Sequence, residues 1–372
     1  MQLRELNCQA LHIPFKHVFK HTSATRTQSH SLWVSATAGA HIGYGEGCPR
    51  TYVTGESLDS TQAFFQRHKT HWLQHIHSLS DLQHWIAQHP NAIDQNPAAW
   101  CAVELALLEV LAKTHAQSIE ALLGLPELTG DSHYSAILGD SSRSIFQQQL
   151  AAYAQYGFTD FKLKLSGELE KDRQHLALIQ QLDNPRIRLD ANNHWAHASE
   201  VIEYITQLNS PLSALEEPVT AFDFKAMHEI MHTLKLPIIV DESVTQLSHL
   251  QQLAAHPGHW IINLRVSKMG GLLRSLALMQ QAKIQKIPLI VGAFVGETSL
   301  LTRAAITVAQ AAGSLCLAQE GAFGTHLLQH DICTNPIVFG HQGHVALADF
   351  AQRPGFGLNI TPHSLASHAG DA

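Results

Sequence analysis

The 372-residue chain carries 24 Lys+Arg against 31 Asp+Glu, a formal charge of −7, and 45% hydrophobic residues. This is apolar material for a large core, and mild acidity without a basic stripe excludes a nucleic-acid partner, whose phosphates would have to be neutralised. No run reaches the ~18 apolar residues of a membrane span, and five scattered cysteines (Cys8, Cys48, Cys101, Cys316, Cys333) make neither a disulfide framework nor a zinc ribbon, so no membrane and a reducing, cytoplasmic setting are expected.

Residues 31–37 and 41–46 flank Ala38-Gly39-Ala40, a hairpin signal. Helical patterns follow near 58–77, 80–88 and 97–116. The last has Pro97 in its first turn and Trp100, Val103, Leu107 and Val110 at helical spacing. Strands followed by helices, without regular alternation, predict an α+β unit over residues 1–130. On its first helix His68, His71 and His75 stand at i, i+3 and i+7, but in a chain with 27 histidines they read as a solvated face. The Gly-rich segment 44–50 (YGEGCPR) follows a hairpin rather than opening a helix, so it predicts a tight turn and not a phosphate loop.

From about residue 133 the texture changes to short apolar runs alternating with amphipathic segments. Eight runs are legible: 134–138, 160–165, 186–190, 212–217, 237–241, 260–265, 288–293 and 315–319. Helix-like stretches lie between them at 168–182, 197–208, 221–234, 243–255, 271–285 and 298–312. Eight β/α units and no G-x-G-x-x-G after the first strand predict an α/β fold of the (β/α) TIM-barrel type over 131–330, with 331–372 returning to the N-terminal unit.

Ionisable residues recur at the ends of successive predicted strands: Lys162 and Lys164, Asp190, Glu216, Asp241, then Lys268. From Lys164 the steps are 26, 26, 25 and 27 residues, one β/α unit each. In a barrel that spacing gathers the side chains at one mouth, where barrel active sites lie. Three carboxylates from adjacent strands make a hard-oxygen site suited to Mg²⁺ rather than zinc. Lys162 and Lys164, at i and i+2, share the interior face of their strand. A second ammonium and a divalent ion nearby favour the neutral amine of Lys164, the form that serves as a base.

With these residues in view, the chain resembles the enolase superfamily in its muconate-lactonising subgroup, through KLKL, LDANNHW, LEEP, VDES and SKMGG. The segments YGEGCPRTYVTGES and AVELALLEVLAK resemble that group's capping domain, so residues 1–130 are expected to cap the barrel. The resemblance implies Asp190, Glu216 and Asp241 as ligands of Mg²⁺ (Mn²⁺ as a substitute). It also implies Lys164 and Lys268 as an acid/base pair with Lys162 tuning the former, and Asn192 and Glu242 supporting the ligand shell. Enolase-superfamily sites are themselves the general example of a Lys or His base working with Mg²⁺ on an ene-diolate. The implied reaction is abstraction of a proton α to a carboxylate, giving racemisation or epimerisation of an amino-acid-like or dipeptide-like acid. A muconate-type cycloisomerase or an o-succinylbenzoate-synthase-like lyase is the alternative on the same scaffold, and the resemblance implies a homo-oligomer. A Schiff-base aldolase using Lys164 and a non-catalytic binding barrel are the rivals of other classes.

Substrate contacts are expected from three places. At the eighth strand, Glu320 reads equally as a contact to a cationic or hydroxyl group of substrate and as a helix N-terminal acid. The seventh offers Phe294 as an apolar wall and Glu297 at the rim. The early loop 17–31 is expected to fold over the mouth, with Phe19 as a second wall and Lys20, His21 and Arg26 meeting an anionic distal group.

Overall fold

The computed structural model describes residues 1–21 and 24–361, the side chains of 20–25 excepted. An antiparallel sheet opens the chain, in the order Leu3–Leu11, Ser31–Ala38, His41–Gly47. Ala38 pairs with His41 across Gly39-Ala40, the predicted hairpin, and Gly39 takes the φ of +60° that such a turn requires. The strand Leu3–Leu11 is not among the predicted elements. A register shift between Leu3 and Glu5 breaks the alternation by which a strand is recognised.

The helix Pro97–Thr114 crosses this sheet and is buried on every side from Pro97 to Ala112. It can lie so close because Gly43, Gly45 and Gly47 turn one face of their strand towards it. A Cβ on Gly45 would stand 1.8 Å from the Ala102 carbonyl oxygen, and one on Gly47 1.8 Å from that of Ala98. The Gly-rich segment expected as a tight turn is therefore, through Gly47, a strand whose missing side chains admit a helix backbone. On the neighbouring helix Leu58–His75, His71 and His75 are exposed and stack at 4.4 Å, while His68 packs its ring against Trp72 at 5.6 Å.

Eight parallel strands follow in sequential order: Ala136–Leu138, Asp160–Lys164, Arg186–Asp190, Ala214–Glu216, Ile238–Val240, Trp260–Leu264, Leu289–Val291 and Cys316–Gln319. The sheet curls until Tyr134 bridges Gln319 and the Ser135 N–H donates to the Gln319 carbonyl at 2.8 Å, joining the first strand's approach to the eighth strand. Helices cover the crossovers at Arg143–Gln155, Leu169–Ile179, Ala198–Leu208, Phe224–Leu234, Leu250–Ala255, Leu272–Gln285 and Ser299–Ala312. These make seven β/α units rather than the expected eight, since among the described residues the last strand is followed by the 3₁₀ turns Gly324–His326 and His341–Gly343 and by no α-helix. Inside the barrel, Ala214, Ile239, Ile261 and Ile290 form an apolar plug on the side of strands four to seven.

Residues 17–31, expected as a loop, contain most of a hairpin of Pro14–His21 with Ala24–Gln28. It is tied to the barrel by a Phe15–Leu328 bridge and by the Lys16 N–H on the Leu327 carbonyl at 2.8 Å. Deeper in, Arg303 binds both oxygens of Glu120 at 2.9 and 2.8 Å. The C-terminal segment meets residue 119, whose N–H donates to the Gly355 carbonyl at 3.0 Å. Among the described residues no helix is long and apolar enough to cross a membrane. Gly45→Ala should lower unfolding free energy by about 3 kcal/mol or more, because backbone must move to admit one methyl group. Urea denaturation checks this, and an unchanged midpoint would contradict the close helix–strand contact.

Candidate active site

Parallel pairing sets the site out in two layers. Lys164 is in register with Asp190 and Asp190 with Glu216, while two residues earlier Lys162 is in register with Arg188 and Arg188 with Ala214. The upper layer opens to the mouth and the lower one is buried. Lys162, only 3% exposed, reaches up from the lower layer, its Nζ lying 3.1 Å from Asp190, 2.7 Å from Glu216 and 3.1 Å from Glu320. Burial disfavours its ammonium, but the three carboxylates hold it ionised. Burial likewise pushes Asp190 up, and Lys162 and Lys164 outweigh it, holding that carboxyl below the usual range.

Arg188 is the residue that sequence reasoning missed here. Its guanidinium binds Glu320 at 2.9 Å, Asp160 at 2.8 Å and the Ser135 hydroxyl at 2.7 Å. The signal was present, since Arg188 precedes Asp190 by the same two residues that separate Lys162 from Lys164. Both oxygens of Glu320 are thereby taken by Lys162 and Arg188, and among the described residues no α-helix follows it. Glu320 also lines the cavity, and it is the counter-ion of two buried cations, a role the sequence reading did not include.

Glu216, the first acid before Pro218, accepts from Asn263 Nδ2 at 2.9 Å. Glu217 has another task. With φ +38° it turns away to accept from the backbone N–H groups of Asp241 (2.6 Å) and Ser243 (2.8 Å), which fixes the turn after the fifth strand. Asn192 accepts from Lys164 Nζ at 3.1 Å, and Lys164 also lies 3.4 Å from Asp190. Glu242 lines the mouth with one oxygen unpartnered, pushed up to about 8 by burial and by Asp241 and Glu217.

The sixth strand departs from expectation. It ends at Leu264, and the short helical turn Val266–Met269 begins almost at once, carrying Lys268 away from the mouth. Lys268 is fully buried and uses its ammonium on the Asp241 carbonyl (2.6 Å), the Asp241 carboxylate (2.8 Å) and the Asn263 carbonyl (2.7 Å), which accounts for its three donors. It does not line the cavity. Arg265 does, ion-paired with Asp241 and with its guanidinium 4.9 Å from the centre of the Phe294 ring.

These groups open into a cavity of about 940 Å³. Phe19, Arg26 and Phe294 line it as expected residues, Phe19 pairing across its hairpin with Arg26. The side chains of Lys20 and His21 lie outside the described residues. Glu297 is off the cavity; it is buried and accepts from the Phe294 N–H at 2.7 Å, holding that turn. Ile145, Tyr153, Tyr156, Phe323 and Phe339 also line it, with Tyr153, Tyr156 and Phe323 packed against Phe339, and none of them was singled out by the sequence.

The donor chemistry of Asp190, Glu216 and Asp241 fits a hard divalent cation. Glu216 is pushed up to about 8 by its burial and by the anions Asp190, Glu320 and Asp241 around it, despite Lys162. Such a cluster gains from added positive charge. As placed, the protein's own cations hold these acids, and among the described residues no three His, Cys, Asp or Glu side chains gather round one point.

Residues 146–364 match the family model described as enolase C-terminal domain-like, well over half of the chain. The chain belongs to this family. It is an isomerase of the enolase superfamily, as its relatives' names indicate. The N-succinyl-L-Arg/Lys racemase of Bacillus cereus is 24% identical, over 98% of this chain and 97% of that one. The chloromuconate cycloisomerase of Cupriavidus pinatubonensis is also 24% identical, over 86% and 85%. A dipeptide epimerase from Enterococcus faecalis, solved with Mg and L-Leu-L-Tyr, superposes with a TM-score of 0.83 at 22% identity, covering 96% of this chain and all of that one.

Arg188→Met leaves buried Glu320 with one cation fewer and Asp160 without its short contact. It should cost about 3–5 kcal/mol in urea denaturation, as when one partner of a buried ion pair is removed. A change under ~0.5 kcal/mol, the range of an ordinary surface substitution, would contradict the network's role.

Proposed function

We propose that this family member removes a proton α to a carboxylate, with Lys164 as the base and Mg²⁺ held by Asp190, Glu216 and Asp241. One observation carries this reading: Lys164 is the lysine that both lines the cavity and stands in register beside the strand-end acids. A bound divalent ion would supply charge for the dianionic form of the substrate. The chain's own residues do the rest. Asn192 and Asp190 orient the Lys164 amine, and Lys162 and Arg188 keep the acids below it ionised.

The substrate follows from the cavity. A carboxylate enters between Lys164 and Arg265, and the wall of Tyr153, Tyr156, Phe323 and Phe339 takes a bulky apolar or aromatic distal group, with Arg26 at the rim for a polar end. An N-acylated amino acid or a dipeptide-like acid has these parts, as does a lactone-forming unsaturated acid. Racemisation or epimerisation is supported by relatives named racemase and epimerase, and cycloisomerisation by the relative named for it. The half-reaction at Lys164 is common to all of them.

Incubation with Mg²⁺ in D₂O and a panel of N-acyl amino acids, dipeptides and lactone-forming acids tests the reading by NMR. Exchange at the α-carbon is expected, falling by at least ~10²-fold in Lys164→Ala, the scale of general-base catalysis. Exchange that survives in Lys164→Ala, or exchange from none of these acids, would contradict it.

A further inference from the structure

Lys164 leaves the second strand and Arg265 follows the sixth, four places apart in a ring of eight, so the two stand across the mouth from one another. Lysine sits on one side, arginine on the other. The lysine nearest in sequence, Lys268, is sealed off with its three donors bound inside the protein. The two groups differ in kind. An amine can take and return a proton, whereas a guanidinium keeps its charge throughout the ordinary pH range and presents a fixed fork of donors.

The Arg265 environment suits holding rather than exchanging. Its guanidinium is fixed by Asp241 and by the face of Phe294, and its Nε–H is buried without a hydrogen-bond partner in the protein. Donor capacity thus remains unused at the cavity wall. Glu242 is the other ionisable cavity residue that follows strands five to seven.

We infer that this site transfers protons on one face of its substrate only, with Lys164 as the sole proton-transfer group and Arg265 opposite it as a permanent clamp for the substrate's anionic end. The inference rests on the function proposed above and concerns the fate of the proton. Neutral Lys164 Nζ takes the α-proton, the C–H electron pair passes into the carboxylate as an ene-diolate, and the resulting ammonium returns a proton to the face it came from. The acid–base balance closes on Lys164 alone. Isomerisation at such a site is completed by a group within the substrate, as in ring closure or ring opening, and not by a second base that inverts the carbon.

The test follows both enantiomers of each acid in the same D₂O panel, by NMR for exchange and by chiral chromatography for inversion, in wild type, Arg265→Lys and Arg265→Met. Wild type should exchange one enantiomer with retention. Arg265→Lys restores a group able to exchange protons and should bring inversion with it; Arg265→Met loses the clamp and should slow exchange by about 10²–10³-fold. Circular dichroism verifies that each variant is folded. Inversion by wild type at the rate of exchange overturns the inference while leaving the function intact. So does Arg265→Met exchanging at the wild-type rate, or folded Arg265→Lys exchanging without inversion. Absence of exchange from every acid removes the function, and this inference with it.

Discussion

A charge buried in a barrel must be answered by another, and the contact of Lys162 with Asp190, Glu216 and Glu320 is where this protein meets that requirement. An isolated ammonium at that depth would lose its proton, and isolated carboxylates would gain one. Together Lys162, Asp190 and Glu320 stay ionised, while Glu216 is pushed up to about 8, at the cost of a fixed geometry. Arg188 extends the network to the first strand's approach through Ser135 and to the second through Asp160. Arg265 and Lys268 close it at Asp241. The opposite half of the interior is apolar, so the polar half has nowhere else to relax.

Chemistry at the mouth depends on this floor. Lys164 is held by Asn192 and Asp190 at the boundary between the ionic interior and the cavity, a position where an amine is both oriented and accessible. Carboxylates gathered more closely than water would allow form a site that favours added positive charge, and an enolate-forming enzyme needs such charge beside its substrate. Phe19 and Arg26 of the early hairpin reach the cavity, where they would exclude water from the proposed proton-transfer site.

Much of this is legible in the amino-acid sequence because a parallel barrel advances at a nearly constant number of residues per unit. Counting residues along the chain is enough to bring Lys164, Asp190, Glu216 and Asp241 to one mouth. The same count fails at Lys268, where a step of 27 differs little from 26 but a helical turn starting at Val266 rotates the side chain out of the cavity. Spacing finds the end of a strand; it does not report which way the chain turns there. The bulge near Leu3 hides a strand for a related reason, since periodicity is lost wherever one residue is added. Glu297 and Glu320 are visible as acids near the mouth, but the Phe294 N–H and the Arg188 guanidinium that engage them come from tertiary packing. The helix-facing glycines of His41–Gly47 imitate a turn because a close backbone approach and a positive φ both call for glycine.

The central claim is that the strand-end acids form a site for a divalent cation beside Lys164. Thermal unfolding against Mg²⁺ concentration, in wild type and in Asp190→Asn, tests it without any substrate. The account predicts a midpoint that rises with Mg²⁺ in wild type, corresponding to about 2.7 kcal/mol at a hundredfold excess over the dissociation constant, and a response largely lost in Asp190→Asn. A wild-type midpoint unmoved by millimolar Mg²⁺, with no binding heat in calorimetric titration, would contradict it.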